Sequence, residues 1–409
     1  MIFYSPTGAY HPNLKLASFT NKIPKTFTKI VFWYDQHDKA VRNRTLSEVF
    51  TMNDWAFLKN KPNAFLLFFY PDEYYNWYNL REWANAIKTY DLPTEKIYIV
   101  CMDKNFENWT IDIMKNEFGI ENFNISSTNY LLHKTGRACY KFQKNKLSQS
   151  NNLPLKKFSI FSRNYQIWRL ELFEKLFKNN VLNDSYYTFQ NVNPYAGEPD
   201  KNFVFATEDI QNDYKNFIGE HKPLSTFLKW IQDMPYLALN DTIDQSFKYN
   251  PSIFNMLEKG LIHLCIESHY DPLHSRYNQT PIVEEMWPAK MSPSFLTEKI
   301  YKPIFLKIPF IIISTPNYWH DMKKLGFKSF HPFINESYDT ILDNTVRMKY
   351  IVKEVRRLAS LSGEELMELV ENCKEKLNHN YIVATEMLNN TKGPEVADTY
   401  LQNLIGKKI

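Results

Sequence analysis

Two short apolar runs of strand length, with one amphipathic helix between them, restrict the fold of this chain more than any other feature. "AFLLFFY" (Ala64–Tyr70) and "KIYIVCM" (Lys96–Met102) have the length and continuity of buried strands. Between them, "YYNWYNLREWANAIKTY" sets Trp77, Leu80, Trp83, Ala84 and Ile87 on one helical face. Strand, helix, strand at this spacing predicts a parallel βαβ unit, because parallel strands need a crossover that a helix supplies. "KIVFWY" (Lys29–Tyr34) adds a further strand ahead of it.

The alternation then pauses. "KFQKNKLSQSNNLPLKK" (Lys141–Lys157) is polar and without period, and reads as a linker. Beyond it come "FSIFS" (Phe158–Ser162), a helix from about Tyr165 to Leu176, and the strand "SYYTFQ". "LIHLCIES" (Leu261–Ser268) and "PFIIIS" (Pro309–Ser314) follow, each flanked by helical stretches. "SGEELMELVENCKEKL" opens with Ser362 and Glu365 in capping-box spacing and is the firmest helix of the chain. A chain of 409 residues is long for one domain and fits two. The expected architecture is α/β, with doubly wound domains over residues 1–150 and 151–409 and a cleft between them. The last helix could cross back to the first domain.

Composition bounds the function classes. Hydrophobic residues make up 44% of the chain, enough for full cores. A net charge of +4 is too slight for a nucleic-acid coat protein, although a local basic cleft fits within it. The 16% aromatic content accompanies an excess of Asn, Lys and Ile, all with AT-rich codons, so it does not by itself argue an aromatic site. The four cysteines form no CxxC pair, and Cys101 and Cys265 sit inside apolar runs, as in a reducing compartment. No cationic and apolar leader opens the sequence and no run approaches a membrane span. The expectation is a cytoplasmic protein. Neither GxxxxGK[ST] nor GxGxxG occurs, and no Asp-x-Asp triplet suggests a metal.

In open α/β sheets the ligand lies beyond the carboxyl ends of the strands, and three such ends in the second half carry unusual charge. Arg163 falls just past Phe158–Ser162, and Arg169 lies in the helix that follows. Guanidiniums near a helix N-terminus suit a diphosphate, whereas Arg169 alone could instead pair with Glu171 or Glu174. Glu267 and Ser268 end a second apolar run. At the third end, Thr297 is placed to cap a helix whose first turn carries Glu298 and Lys299. A glutamate there suits the helix dipole, while a lysine does not unless an anion neutralises it. Glu298 could accept both hydroxyls of a ribose, and Phe295 could cover a base. Pro303 should kink or restart that helix. In the first half, Asp72 and Glu73 end a strand and could serve as a general base or merely cap the next helix; Asp35 and Asp103 are strand-end rivals. His320 and His331 read as ordinary packed or surface residues.

"SFLTEKIYKPIFLKIPFIIIS", preceded by "IESHY", resembles the donor-site signature of GT-B glycosyltransferases of the fucosyltransferase type. It is similar above all to their phage- and giant-virus-associated branch. "FSIFSRNYQIWR" resembles that branch's strand and arginine-bearing segment, and "LNHNY" (Leu377–Tyr381) its late His-Asn element. The likeness covers most of Phe158–Tyr381, is specific at Thr297–Pro303, and touches the first 150 residues in pattern only. It implies two Rossmann-like domains facing across a cleft. It also implies a UDP- or GDP-linked sugar held by Arg163 and Arg169 at the diphosphate, Lys299 at the phosphates and Glu298 at the ribose. Phe295 would lie against the base and Glu267 would face the sugar or ribose. Transfer would be inverting, with no metal or other cofactor, and Asp72 or Glu73 would take the acceptor proton. The viral flavour makes a modified base in DNA one candidate acceptor, gripped by Lys141–Lys146 and Lys156-Lys157, in a host cytoplasm. A surface glycan or small molecule is the rival acceptor, and a nucleotide- or carbohydrate-binding protein without catalysis the rival function. The Lys302-Pro303-Ile304 segment departs from the fucosyltransferase pattern and leaves the sugar open; the sequence carries no signal of the oligomeric state.

Overall fold

The computed structural model describes residues 2–4, 30–34, 46, 50–62, 64–70, 75, 77–146, 153–162, 167–189, 226–227, 229–230, 251–267, 270, 293–294 and 296–390. The chain divides into two compact units, one built on Met1–His133 and the other on Lys134–Asp271 with Leu296–Thr385.

The first unit holds a parallel sheet of β1 (Ile2–Tyr4), β2 (Ile30–Tyr34), β3 (Ala64–Phe69), β4 (Ile97–Cys101) and β5 (Asn124–Ser127). Helices α1 (Met52–Asn60), α2 (Trp77–Thr89) and α3 (Lys104–Asn116) connect the strands from β2 onward. Strand alternation turns Ala64, Leu66 and Phe68 of β3, and Ile97, Ile99 and Cys101 of β4, to one face. There they join Trp55 and Leu58 of α1, Leu80 and Trp83 of α2, and Phe106 and Ile113 of α3 in one core. Phe68 stacks on Trp83 at 4.1 Å. Three helices on one face is what right-handed crossovers produce when every step moves the same way across the sheet. The strand order β1-β2-β3-β4-β5 is such a sequence. The doubly wound arrangement expected for this half is therefore not seen among the described strands.

Local polar groups finish these elements. Thr51 and Asp54 close a capping box on α1, and the buried Lys96 amine donates to Leu58 O, Lys59 O and Lys61 O at its other end. Asp103, a rival for the base, is buried and accepts the Phe106 N–H at 3.1 Å as the N-cap of α3. Asp35, Asp72 and Glu73 lie outside the described residues.

Helix α4 (Tyr130–Lys146) runs into the stretch expected to be a linker, which is thus helical up to Lys146 and strand again from Lys156. Its lysines mask an apolar stripe of Leu132, Cys139 and Phe142. Phe142 stacks on Phe254 at 5.0 Å, and Gln143 Nε2 donates to Phe305 O at 3.2 Å.

The second sheet contains β6 (Lys156–Ser162), β7 (Ser185–Phe189), β8 (Gly260–Ile266) and β9 (Phe310–Ile313), all parallel, in the order β7-β6-β8-β9. From β6 the chain steps outward to β7, then returns past β6 to β8. The direction reverses, so this half has the expected doubly wound feature, and its switch point lies between β6 and β8. Helix α5 (Ile167–Lys178) links β6 to β7, α6 (Pro251–Lys259) leads into β8, and α7 (Glu298–Leu306) links β8 to β9. Ser162 shares a rung with Phe189, whose ring packs on Phe173 of α5 at 4.5 Å, so α5 covers that face. The other face carries Ser159 and His263, whose Nδ1 lies 2.9 Å from Ser159 O, and Cys265. Helix α7 packs against β8. Burial pushes His263 down to about 3 despite its Ser159 bond, so the ring is neutral. Helices α8 (Tyr318–Lys324), α9 (Asn344–Ser360), α10 (Gly363–Asn372) and α11 (Lys374–Asn390), the last as far as Thr385, complete the unit. The capping box at α10 forms as expected, Glu365 N–H to Ser362 Oγ at 3.1 Å and Ser362 N–H to Glu365 Oε2 at 2.7 Å. Among the described residues no helix is long and apolar enough to cross a membrane.

Candidate functional site

Three segments converge where β6, β8 and β9 end. Strand β8 pairs in register with β9, and Glu267 continues the ladder by donating its N–H to Ile313 O at 3.0 Å. This fixes its side chain at the sheet's carboxyl edge. The carboxylate is 1% exposed and accepts hydroxyl protons on both oxygens, from Thr297 on Oε2 at 2.7 Å and from Tyr318 on Oε1 at 2.9 Å. Glu267 thus orients the entries of α7 and α8 rather than standing as an open acceptor.

Thr297 is the N-cap of α7 and accepts the Lys299 N–H at 3.2 Å. Glu298 and Lys299 therefore occupy the first turn, as expected. The helix continues through Pro303 without restarting, and Ile308 N–H returns to Pro303 O at 2.9 Å to close its far end. Lys299 Nζ lies 3.3 Å from Glu298 Oε1 and 3.9 Å from Glu267 Oε2. Two carboxylates of the chain itself thus neutralise the lysine that seemed to call for an external anion. Lys302, one turn on, is half-buried and adds a second ammonium.

These contacts set the charge states. Burial raises Glu267 above the ordinary carboxylate range, against the pull of Lys299 and of the two hydroxyls. Burial also presses Glu298 upward, but Lys299 and Lys302 outweigh it and its net shift is downward. Desolvation lowers Lys302, with Glu298 opposing. Tyr318 is raised well above its usual value by burial and then by Glu267, so it stays a hydroxyl donor.

Arg169 sits in the first turn of α5, 3% exposed, and its Nη2 donates to Glu267 O at 2.8 Å. Its guanidinium therefore reaches from the end of β6 toward the end of β8, across the switch point. The alternative partner Glu171 pairs with Lys175 at 3.2 Å. Arg163, Phe295 and Ser268 lie outside the described residues. The structure thus brings together Arg169, Glu267, Thr297, Glu298 and Lys299 of the expected set. The His-Asn element is a structural clip. His379 Nε2 is 2.9 Å from Gly326 O, while Asn380 accepts the Lys328 N–H at 2.7 Å and donates to Lys328 O at 2.9 Å.

Tyr318 and Lys302 join the cluster without having been expected as site residues. Tyr318 follows β9 closely, so the strand-end rule applied to β8 would also have picked it out. Lys302 stands four residues after Glu298, the spacing of a helical ion pair. Among the described residues no group of three or more His, Cys, Asp or Glu side chains could hold a metal ion.

No protein-family model matches the chain, and no curated protein matches it. Among solved structures it is similar to the N-terminal domain of trehalose-6-phosphate phosphatase from Candida albicans, at 13% identity over 91% of this chain and 72% of that one. The TM-score is 0.36, a likeness too distant to bear on function.

Proposed function

We propose that this protein is a glycosyltransferase of the GT-B type, moving a sugar from a UDP- or GDP-linked donor to an acceptor hydroxyl. The observation that carries the reading is the convergence of Arg169, Glu267, Thr297, Glu298 and Lys299 where the strand order of the second sheet reverses. That is where open α/β sheets bind nucleotides. The sequence resemblance falls on the same residues. Departure of a nucleoside diphosphate builds negative charge, which Arg169, Arg163 and Lys299 would stabilise in place. Glu298 takes the ribose, Phe295 the base, and Glu267 acts through Thr297 and Tyr318 by holding two helix entries. Asp72 or Glu73 is the base that accepts the acceptor proton, which gives inversion without a metal. The acceptor class we favour is a modified base in DNA, but Lys156-Lys157 do not serve it. They open β6 at the sheet edge away from the cluster, Lys157 Nζ donates to Ala359 O at 2.8 Å and Leu361 O at 2.6 Å, and Lys156 lies 3.7 Å from Asp184.

A thermal-shift panel of UDP, GDP, CMP and dTDP with their sugars tests this on wild type and Lys299→Ala. A ligand at 100 times its Kd adds about 2.7 kcal/mol to the folded state, a readable shift. One nucleotide should stabilise the wild type and fail on Lys299→Ala; no shift from any of them would overturn the reading.

A second reading is a non-catalytic binding protein in which the cluster only fixes a helix entry. The internal neutralisation of Lys299 by Glu298 and Glu267 favours it. Nucleotide binding without hydrolysis or transfer of any donor sugar would select it.

A further inference from the structure

Ser162 is the last residue of β6, at the switch point, and it is 3% exposed. Its hydroxyl has no hydrogen-bond partner among the described residues. A buried hydroxyl left unpaired costs free energy, and native structures rarely keep one without a reason. Its surroundings say what would pair with it. The shared rung with Phe189, and the packing of Phe189 on Phe173, put Ser162 on the face covered by α5. Helix α5 begins at Ile167 and runs for 12 residues. The amides of its first turn have no acceptor within the helix and carry the positive end of its dipole. Arg169 adds a guanidinium in that same turn, directed at the Glu267 carbonyl beside β6. An unpaired hydroxyl at the strand end that leads into such donors is completed by an anionic oxygen.

We infer that Ser162 is a binding residue of the donor site, its hydroxyl donating to a non-bridging phosphate oxygen of the nucleoside diphosphate at the N-terminus of α5. The inference rests on the donor-site reading above and adds a residue to it. It makes an unusual combined prediction for Ser162→Ala. Removing an unpaired buried hydroxyl should leave the melting temperature of the ligand-free protein unchanged or raise it. Removing a donor to a charged phosphate should weaken binding of the diphosphate roughly tenfold.

The test is calorimetric titration of wild type and Ser162→Ala with the nucleoside diphosphate that stabilises the wild type and with its parent nucleoside, beside melting curves without ligand. The expected result is a roughly tenfold rise in Kd for the diphosphate, an unchanged Kd for the nucleoside, and no loss of melting temperature. Inorganic pyrophosphate should compete on the wild type and lose the same factor on the variant. Equal Kd values for the diphosphate on both proteins would overturn the inference while leaving the donor site standing. A melting temperature that falls together with affinity for both ligands would make Ser162 a structural residue. A wild type that binds none of these ligands would remove the donor-site reading and this inference with it.

Discussion

Thr297→Ala removes two bonds at the heart of the cluster, and their sizes can be set out separately. The Thr297 hydroxyl accepts the Lys299 N–H at 3.2 Å and donates to Glu267 Oε2 at 2.7 Å, with the residue 2% exposed. Loss of an N-cap costs about 1 kcal/mol. Taking a short bond from a buried carboxylate costs a further 1.5–3 kcal/mol or about that. The expected destabilisation is therefore about 2.5–4 kcal/mol, whereas Thr297→Ser keeps the hydroxyl and should lose about 1 kcal/mol from the missing methyl. Urea unfolding measures this, fitted with a transition for each unit because a two-unit chain need not unfold in one step. A double-mutant cycle with Glu267→Gln then isolates the hydroxyl–carboxylate term, expected to couple by about 1 kcal/mol or more. A loss below about 1 kcal/mol, or additivity within roughly 0.5 kcal/mol, would refute the claim that this bond ties α7 to β8.

Two further outcomes follow from buried groups away from the cluster. Lys96→Met withdraws an amine that donates to three carbonyls at 2.8, 2.9 and 2.9 Å, and should destabilise the first unit by about 1.5–3 kcal/mol in the same urea assay. Burial holds Glu336 up at about 7, against hydrogen bonds from Phe330, Ser329 and His331. Between its ordinary 4.5 and about 7 the unfolded chain releases this proton while the folded one keeps it, so this group makes stability fall as pH rises. The stability of wild type relative to Glu336→Gln should therefore drop across that window, and a flat difference would contradict the burial argument.

The readable parts of the fold were those in which a local pattern and the tertiary environment agree. β3, β4 and β9 are apolar along their length, and β8 is apolar apart from His263, because both faces are covered, and each lies where its run predicted. β5 is "NISS", polar and half-exposed, so no hydrophobic signal marked it. Lys141–Lys146 looked like linker because lysines and asparagine outnumber the buried Phe142 that secures the helix there. Within the site, Thr297 was legible because capping is a matter of neighbouring residues. The partners of Glu267 were not, since Thr297 and Tyr318 reach it only once β8 and β9 are paired.

The lysine at the mouth of α7 raises a question about the whole cluster. Glu298 and Glu267 lie close enough to offset its clash with the helix dipole, so the lysine by itself no longer demands a phosphate. The cost has moved to Glu267, a carboxylate 1% exposed whose tendency to ionise is weakened by burial. Holding α7 against β8 does not need such a group. Well-packed apolar residues in place of a buried ion pair are often as stable or more so, by about 1–4 kcal/mol. Fold stability therefore gives a weak reason for two carboxylates and two ammoniums at one sheet edge. The cluster also stands where the strand order reverses, beside the arginine of α5, rather than at any other strand end of the described unit. Charge kept at a cost, at the place where α/β sheets bind nucleotides, is what the donor site we propose would account for.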